Sequence, residues 1–438
     1  MEENRENNEV NDPRAGKALA FVGGLFVGVL IVGVIAAVVL NDGSLRKQTT
    51  AKNSNKTIVD SSSEGKAKPR DDSAIDQDTI DKLNELEGYI DTYYLGDYTK
   101  EDLQNSLYHG LFNGLNDPYS VYYSPEEMEA FQTSESGVYE GIGAYISFDK
   151  EYNYCKIVKP MPGSPAEEAG LQADDIIVEV DGKDMMGVQS SEIVTYIKGP
   201  HGTTVDLKIF REGETDYLDF TVERRAIEAP VVTLEVTEDN MAYITISEFN
   251  DVSADQFKEK LEEAKEDGMD SLVIDLRDNP GGSLQQVVEI ANYILPKGNV
   301  VYTMDRDGSK KEYKCDGKHE LDVPLVVLVN GNSASASEIL AGAIKDYEKG
   351  TILGTTTFGK GIVQRVFPLN DGSAFKLTIS HYYTPNGNDI HQVGVEPDEE
   401  LEFDVKTYRE LGIDNQLERA KEILGKKSDK TSVSDNGI

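Results

Sequence analysis

The sequence predicts an α/β core in the carboxyl-terminal part of the chain, preceded by a small β-rich domain, a helical section and one transmembrane helix. Three patterns predict this architecture. Apolar strands alternate with helices after residue 227, short strands are interrupted by two short helices between residues 132 and 226, and one long run near the amino terminus carries no charge. Strands that alternate with helices are typical of a largely parallel sheet with both faces covered.

Length, charge and cysteine count limit the function. A chain of 438 residues exceeds what one hydrophobic core usually organises, so several domains are expected. Acidic residues outnumber basic ones by 80 to 43, and the net charge of −37 predicts no nucleic-acid partner, although a well-solvated surface explains the same charge. Cys155 and Cys315 lie too far apart in sequence for a CxxC site, and the histidines lack HExxH spacing, so we predict no metal.

Seven segments are predicted along the chain from shifts in composition. Polar residues without large apolar side chains are typical of flexible linkers, and they occupy the region before the first periodic helix and the carboxyl-terminal tail. The segments are an amino-terminal stretch expected in the cytoplasm (1–17), a membrane anchor (18–40), a linker (41–77), a helical section (78–131), a β-rich domain (132–226), the α/β core (227–425) and a polar tail (426–438).

The uncharged run at residues 18–40 predicts the membrane helix. Its 23 residues would form a helix of about 35 Å, and a bilayer core is about 30 Å thick. It is longer than the apolar region of a signal peptide, and no A-x-A cleavage site follows, so a retained single-pass anchor in the cell membrane is expected. Gly24 and Gly28 form a GxxxG pair, which would support a homo-oligomer but also arises by chance in a glycine-rich span. Positive charges flank both ends and do not predict the orientation.

Apolar periodicity predicts helices in the section that follows the linker. Leucine and isoleucine recur at three- and four-residue steps, first between residues 80 and 90 and again between 103 and 115. The motif N-D-P at 116–118 ends the second helix. Ser124 followed by Pro125 predicts the start of a third helix, with serine as the cap and proline at its first position.

Residues 132–226 resemble a PDZ domain. Strands are predicted at 144–148, 155–158, 176–180 and 205–210, with helices at 164–170 and 191–198. The motifs that carry the resemblance are G-I-G, S-P-A-E-E-A-G-L and D-I-I-V-E-V-D-G. In PDZ domains a peptide's carboxyl terminus adds a strand to a sheet edge, and backbone N–H groups of a glycine-containing loop hold its carboxylate.

The PDZ resemblance implies a peptide-binding groove. The carboxylate loop would contain Gly141, Ile142 and Gly143. Ile193 and Ile197, one helical turn apart, would face the last side chain of the peptide. The alternative is that both isoleucines fill the core of the domain.

Two loops of the α/β core follow strands and precede helices, where the sites of such sheets gather. The first, D-L-R-D-N-P-G-G at 275–282, has paired glycines that suit an oxyanion hole or an ordinary turn. The second, N-G-N-S-A-S-A-S-E at 330–338, places Ser335 at a helix amino terminus. Ser335 is either a nucleophile or the first residue of an S-A-S-E capping box.

A nucleophilic serine needs a base, and the sequence offers several. No G-x-S-x-G motif is present, and no carboxylate is evident that would orient His381 or His391. Lys345 lies ten positions along the same predicted helix, roughly 15 Å away. Lys360 stands between two glycines after the strand predicted at 351–356 and can return alongside the serine. A lysine serves as a base when burial keeps its amine neutral.

Taken together, the motifs of residues 80–397 resemble the carboxyl-terminal processing peptidases, the tail-specific protease family. The resemblance is carried by N-D-P-Y-S, D-L-R-D-N-P-G-G, N-S-A-S-A-S-E-I-L-A-G-A-I-K-D, F-G-K-G-I-V-Q and Y-Y-T-P-N-G-N-D-I-H. It implies a ClpP/crotonase-like α/β peptidase core with an inserted PDZ domain, no cofactor, and domains that work outside the cytoplasm. This sequence departs from the family pattern at Asn388, His391 and Lys198, the last standing where arginine is common.

The resemblance also implies a role for each residue of the site. Ser335 is the nucleophile, Lys360 is its base, and Gln364 orients the lysine. Backbone N–H groups of Gly281 and Ala336 form the oxyanion hole. We therefore expect a membrane-anchored serine endopeptidase that captures protein tails with apolar carboxyl termini. The alternatives are an inactive membrane-tethered PDZ scaffold and a Ser-His-Asp hydrolase.

Overall fold

The computed structural model describes residues 73–150 and 152–425. Residues 73–116 contain two helices, α1 (Gln77–Tyr93) and α2 (Lys100–Asn113), as the periodicity predicts. Asp76 caps α1 by accepting a hydrogen bond from the Thr79 N–H. Thr99 and Asp102 form a reciprocal capping box at the start of α2, which satisfies two backbone donors of its first turn.

The polypeptide from residue 117 onward forms a second unit. It begins with strand β1 (Val121–Tyr123) and helix α3 (Pro125–Ser136). The predicted start of α3 is confirmed: Ser124 and Glu127 form a capping box, and Pro125 occupies the first turn. Gly137, in the left-handed conformation with φ of 66°, ends the helix.

The β-rich domain has the predicted order of strands and short helices. Its two ends pair as an antiparallel ribbon between β2 and β9, and the strands between them form a sheet in the order β3-β4-β5-β7-β8, with β6 on β5. Ile157, Ile177 and Ile209 are fully buried in its core. The elements are β2 (Val138–Gly141), β3 (Ala144–Asp149), β4 (Tyr154–Pro160), α4 (Pro165–Glu168), β5 (Ile176–Val180), β6 (Lys183–Asp184), α5 (Ser190–Ile197), β7 (Thr204–Phe210), β8 (Leu218–Glu223) and β9 (Arg225–Glu228).

The α/β core starts with a six-stranded sheet in the order β10-β11-β12-β15-β16-β19. All its pairs except β10–β11 are parallel, which confirms the predicted parallel sheet. The elements of the core are β10 (Val232–Val236), β11 (Met241–Ile246), α6 (Ser253–Glu266), β12 (Ser271–Asp275), α7 (Leu284–Ala291), β13 (Gly298–Asp305), β14 (Lys310–Cys315), β15 (Leu325–Val329), α8 (Ala336–Asp346), β16 (Thr351–Gly354), β17 (Ile362–Pro368), β18 (Ala374–Tyr383), β19 (Glu399–Glu400), α9 (Val405–Leu411) and α10 (Asn415–Ile423).

Both faces of the six-stranded sheet are covered by helices. One face packs against apolar side chains of α6, α7 and α8, and the other packs against α10 through Ala420 and Leu417. Every residue of β12 and β15 is buried. The chemistry-bearing loops therefore leave from the carboxyl ends of rigid central strands.

A second sheet of the core is antiparallel and was not predicted from the sequence. It has the order β1-β18-β13-β14, and β17 pairs with β18. Its strands mix lysine, threonine and tyrosine with apolar residues, and much of β18 is only half-buried. Such strands lack the continuous apolar run that made the parallel strands recognisable.

The prediction of one transmembrane helix is corrected here. Within residues 73–150 and 152–425, no helix is long and apolar enough to cross a membrane. The longest helix of this part, α1, has 17 residues and carries both acidic and basic side chains, whereas a span needs about 20 mostly apolar residues. The run at 18–40 and the Gly24–Gly28 pair lie outside the described residues. The fold class is therefore stated without a membrane helix, and the predicted single-pass localisation in the cell membrane is withdrawn.

Candidate active site

Ser335 lies at the point where the β15 loop enters helix α8. It is the residue before the first helical position, as the sequence predicts. Its backbone has φ of 55° and ψ of −112°, a conformation that residues other than glycine rarely adopt. Backbone strain of this kind persists only where the surrounding structure enforces it, and it concentrates at functional sites.

The carboxylate of Glu338 enforces this conformation. Its Oε2 atom accepts hydrogen bonds from the backbone N–H groups of Ser335 and Lys360, both at 2.8 Å. Its Oε1 atom accepts from the Gly359 N–H and the Thr357 hydroxyl, both at 2.6 Å. Glu338 is fully buried, and burial raises the pKa of its carboxyl group, while the four donors oppose the rise by stabilising the charged form. One buried side chain thus ties Ser335 to Lys360.

Tyr382 joins the same two residues from another direction. Its hydroxyl oxygen lies 2.9 Å from the carbonyl oxygen of Ser335 and 2.6 Å from that of Lys360. The side chain is 1% exposed, and burial raises the pKa of its hydroxyl well above the ordinary value, so it remains a hydrogen-bond donor. Tyr382 was not among the predicted site residues. The only signal was its place in the Y-Y-T-P motif.

The Lys360 amine has a lowered pKa, which a lysine needs in order to act as a base. Burial, and to a smaller extent the positive charge of Lys376, lower its pKa to about 8 against the opposing charges of Glu338, Glu135 and Asp117. The ammonium group lies over the ring of Tyr119, 4.7 Å from its centroid. An appreciable fraction of this amine is therefore neutral near neutral pH.

The N-D-P-Y-S motif contributes to the site. We predicted its first three residues as the end of a helix and used the whole motif for the family resemblance, but we assigned it no role in the site. The Ser120 hydroxyl donates to Asp117 Oδ2 at 2.6 Å and accepts from the Thr378 N–H at 3.0 Å, which joins the motif to β18. This arrangement holds Tyr119 against Lys360 and brings the Asp117 carboxylate near it.

Gln364 lies on β17, close to the lysine in sequence but bonded elsewhere. Its Nε2 atom is 3.4 Å from the Thr378 hydroxyl and 3.5 Å from the Ile362 carbonyl oxygen, which are long contacts. Among the described residues, no hydrogen bond joins Gln364 to Lys360 or Ser335 Oγ to Lys360 Nζ. Catalytic hydrogen bonds often form only when substrate binds. The orienting role of Gln364 stays a prediction.

Gly281 and Ala336 both lie against Ser335. A Cβ atom added to Gly281 would stand 2.7 Å from Ser335 Cβ and 2.9 Å from the Ala336 nitrogen, so only glycine fits there. The Ala336 N–H belongs to the first turn of α8, where backbone donors have no helical acceptor. The Gly281 N–H donates instead to Asn279 Oδ1 at 2.8 Å. Its use in an oxyanion hole stays a prediction and requires this bond to open.

The buried side chain and backbone of Asn279 also fix the two loops to each other. Its Nδ2 atom donates to the Ile246 carbonyl oxygen at 2.8 Å. Its own carbonyl oxygen accepts from the Ala334 N–H at 3.0 Å and the Ser337 hydroxyl at 2.9 Å. The glycine loop and the serine loop therefore form one hydrogen-bonded structure.

The two histidines form a pair beside the lysine loop. The rings of His381 and His391 meet edge to face with centroids 5.3 Å apart, and His381 Nδ1 lies 3.9 Å from Asp389 Oδ2. The sequence alone did not indicate this carboxylate. This distance exceeds a hydrogen bond, and no hydrogen bond links either imidazole to Ser335 within the described residues.

The predicted PDZ groove is only partly as expected. Ile193 and Ile197 are 0% and 6% exposed and belong to the domain core, as does Ile142 at 3%. Gly141 pairs with Arg225 in the ribbon, and the Gly143 carbonyl oxygen accepts from the Met161 N–H. Strand β3 is nevertheless an edge of the sheet, with β4 as its only strand partner among the described residues. The peptide contacts of these five residues stay predictions.

Comparison with known proteins places the chain in a family. A profile of peptidase family S41 matches residues 240–401, and a PDZ profile matches residues 156–211. The carboxyl-terminal-processing protease of Synechocystis sp. is 37% identical over 326 residues, which are 72% of this chain and 76% of that protein. The chain belongs to the carboxyl-terminal processing proteases of peptidase family S41. The carboxy-terminal processing protease CtpB of Bacillus subtilis is 38% identical over 324 residues, 73% of this chain and 67% of that protein.

Membership of this family establishes the general class of the enzyme. The carboxyl-terminal processing protease described here is a serine-type peptidase with a PDZ domain, and its substrates are peptides or proteins. The solved structure of a photosystem II D1 C-terminal processing protease is 29% identical and covers 73% of this chain and 86% of that one, with a TM-score of 0.43.

Proposed function

We propose that this protease is an endopeptidase that works by an acyl-enzyme mechanism with Ser335 as nucleophile and Lys360 as base. One observation carries the proposal: the Glu338 carboxylate and the Tyr382 hydroxyl each contact the backbones of both residues. Such double attachment fixes the relative position of nucleophile and base, which is the main requirement of a two-residue site.

The chemical steps follow from the two side chains. The neutral Lys360 amine takes the Ser335 hydroxyl proton as Oγ attacks the substrate carbonyl carbon. The tetrahedral oxyanion binds the Ala336 N–H and, after the Asn279 bond opens, the Gly281 N–H. Lys360 then gives its proton to the leaving amine, and the peptide bond breaks. A water molecule, deprotonated by the same lysine, hydrolyses the acyl-enzyme and restores the serine.

The pH dependence of hydrolysis tests the lysine. The amine acts as a base only when neutral, so activity rises with pH through the pKa of Lys360, which is about 8. We expect kcat/KM to rise about tenfold per pH unit below this value and to level off above it. Initial rates with a fluorogenic peptide in buffers of constant ionic strength measure the curve.

Two substitutions near Lys360 should move the midpoint of that curve in opposite directions. Lys376→Met removes a positive charge that disfavours the protonated amine, so the midpoint moves up. Glu135→Gln removes a negative charge that favours protonation, so the midpoint moves down. The charges of Glu338 and Asp117, which also raise the pKa of Lys360, are unchanged in both variants. A midpoint that both variants leave unchanged argues against Lys360 as the titrating group.

The PDZ domain is proposed to capture the carboxyl-terminal tail of the substrate. Its open edge strand, β3, supports this proposal, because a peptide adds to an unpaired sheet edge through main-chain hydrogen bonds. The tail would carry apolar end residues. Ile193 and Ile197 are buried, so they would line the floor of the groove only if α5 moves away from β3.

Matched substrates test tail capture with the intact enzyme. We expect an unfolded protein ending in apolar residues with a free carboxylate to be cleaved with kcat/KM about tenfold above the same protein with an amidated terminus, because the amide loses the charge that backbone N–H groups bind. A short internal peptide, too short to offer a tail, serves as the control. It should be cleaved at the same rate whether its own carboxyl terminus is free or amidated. Equal cleavage of both tailed substrates contradicts tail capture without affecting the Ser335 assignment.

A further inference from the structure

The end of the described chain contacts the glycine loop of the active site. Helix α10 packs on the face of the parallel sheet opposite α8, and its first residues approach the loop 275–282 through Arg277. Nothing in the proposed mechanism uses these contacts. They connect a segment that lies behind the sheet to the loop that carries Gly281.

Arg277 is the centre of a buried ionic cluster. Its guanidinium binds both carboxylate oxygens of Asp275, with Nε 2.9 Å from Oδ1 and Nη2 2.6 Å from Oδ2, and the same Nη2 atom lies 2.8 Å from Asp414 Oδ2. Its Nη1 donates to Gln416 Oε1 at 2.9 Å. The two carboxylates raise the pKa of Arg277 even against the cost of its burial. A planar fork bound on three sides has little freedom to move.

Asp414 and Gln416 are themselves anchored, so they can brace the arginine. Asp414 Oδ1 accepts the N–H groups of Gln416 and Leu417 as the cap of α10, which leaves Oδ2 for Arg277. Gln416 is 1% exposed, and its Nε2 donates to the Leu401 carbonyl oxygen at 2.6 Å. In each side chain, one polar atom thus binds the carboxyl-terminal segment and the other binds Arg277 in the loop.

The loop transmits the position of Arg277 to the serine. The residue after Arg277, Asp278, accepts side-chain hydrogen bonds from Asn330 and Asn332 at 3.0 and 2.8 Å. The next residue, Asn279, binds the Ala334 N–H, the Ser337 hydroxyl and the Gly281 N–H. Consecutive residues therefore link the ionic cluster to both sides of Ser335.

We propose that Asp414 and Gln416 are positioning residues that hold the glycine loop in the position relative to Ser335 that oxyanion binding needs. The carboxyl-terminal segment 401–423 then acts as a brace on the active site, and any partner or modification that pulls it away lowers activity without touching the substrate. The inference rests on the proposed function, because it assigns the Gly281 and Ala336 N–H groups to the oxyanion. Loss of the brace should therefore weaken stabilisation of the transition state more than binding of the substrate.

The test variant is Asp414→Asn in the full chain. Asparagine keeps the helix cap, since its carbonyl oxygen still accepts from the α10 backbone, but it removes the charge facing Arg277. We expect kcat to fall about tenfold with KM within about twofold, because small displacements of a catalytic loop act mainly on the chemical step. Gln416→Met, which removes both polar ends at similar volume, should behave the same way.

A chemically matched control exists in the same segment. Asp404 caps α9 with the same geometry, accepting from the Lys406 and Thr407 N–H groups, and it is exposed. Asp404→Asn should keep the parent kcat. The readout that a merely structural role would not change is the inhibition constant of a peptide boronic acid, whose tetrahedral serine adduct mimics the transition state. We expect it to weaken about tenfold in Asp414→Asn and to stay unchanged in Asp404→Asn.

Titration of active serine with a fluorophosphonate probe normalises each rate to intact sites. If Asp414→Asn keeps the parent kcat and boronate affinity, or loses activity only in proportion to titratable serine, the brace is overturned. Ser335→Ala separates the two proposals. If it still hydrolyses peptide, the proposed function fails. If it is inactive and Asp414→Asn equals the parent, only the brace fails.

Discussion

Replacing Lys360 with methionine should lower kcat/KM for peptide hydrolysis by about 10⁴-fold or more, because removal of a general base that activates a serine leaves only binding and oxyanion stabilisation. Methionine nearly matches the length of the lysine side chain, but it lacks the ammonium group that lies over the Tyr119 ring. The backbone N–H bond to Glu338 and the carbonyl contact with Tyr382 are independent of the side chain. The protein should therefore fold normally and lose only the amine. Steady-state kinetics at pH 9 with a fluorogenic peptide measure the loss.

Two further lysine variants make this result specific. Lys360→Arg keeps a positive charge but cannot release its proton near neutral pH, so it should be as inactive as the methionine variant. Lys345→Met removes the other lysine of the serine segment, which binds the Glu396 carbonyl oxygen and Asp398, and should keep at least half of the parent rate. Substantial hydrolysis by Lys360→Arg would show that the base is another group, and His381 would be tested next.

The fold of the core was predictable because its central strands are buried on both faces. Strand β15 is wholly apolar, and β12 has three consecutive apolar residues between Ser271 and Asp275; such runs between helices are recognisable without knowledge of tertiary contacts. The juxtaposition of the glycine and serine loops followed, because the carboxyl ends of neighbouring parallel strands meet at one edge. The half-buried strands of the second sheet gave no such pattern, so β17 and β18 were missed.

The parts of the site that escaped prediction depend on contacts between distant segments. Tyr119 reaches Lys360 only because β1 pairs with β18, which brings residue 121 beside residue 376. Gln416 and Arg277 are 139 positions apart. Local patterns describe single elements and carry no information about such pairings. The same limit explains Ile193 and Ile197: helical spacing gives the face on which they lie, but not whether that face is open or filled.

Glu338 gives the second large effect. Glu338→Gln should lower kcat at least about a hundredfold, because it loosens the positions of both nucleophile and base. The carboxylate accepts from four donors, two on each oxygen. A glutamine of the same shape presents an NH₂ group to one pair of donors, so at least one hydrogen bond to a backbone N–H becomes a contact between two donors, even where the Thr357 hydroxyl accepts from the NH₂ group. We expect the free energy of unfolding to fall by about 2–4 kcal/mol, the cost of leaving buried polar groups unsatisfied.

Kinetics and urea unfolding on the same preparations separate the two consequences of this substitution. Glu289→Gln is the matched control: this side chain on α7 accepts a hydrogen bond from Gln285 at the surface, and its replacement should change neither kcat nor stability measurably. Because the Glu338 charge also raises the pKa of Lys360, the residual activity of Glu338→Gln should titrate with a midpoint below that of the parent enzyme. If that variant retains full kcat, the two backbones are held by Tyr382 alone, and the carboxylate serves only to cap α8.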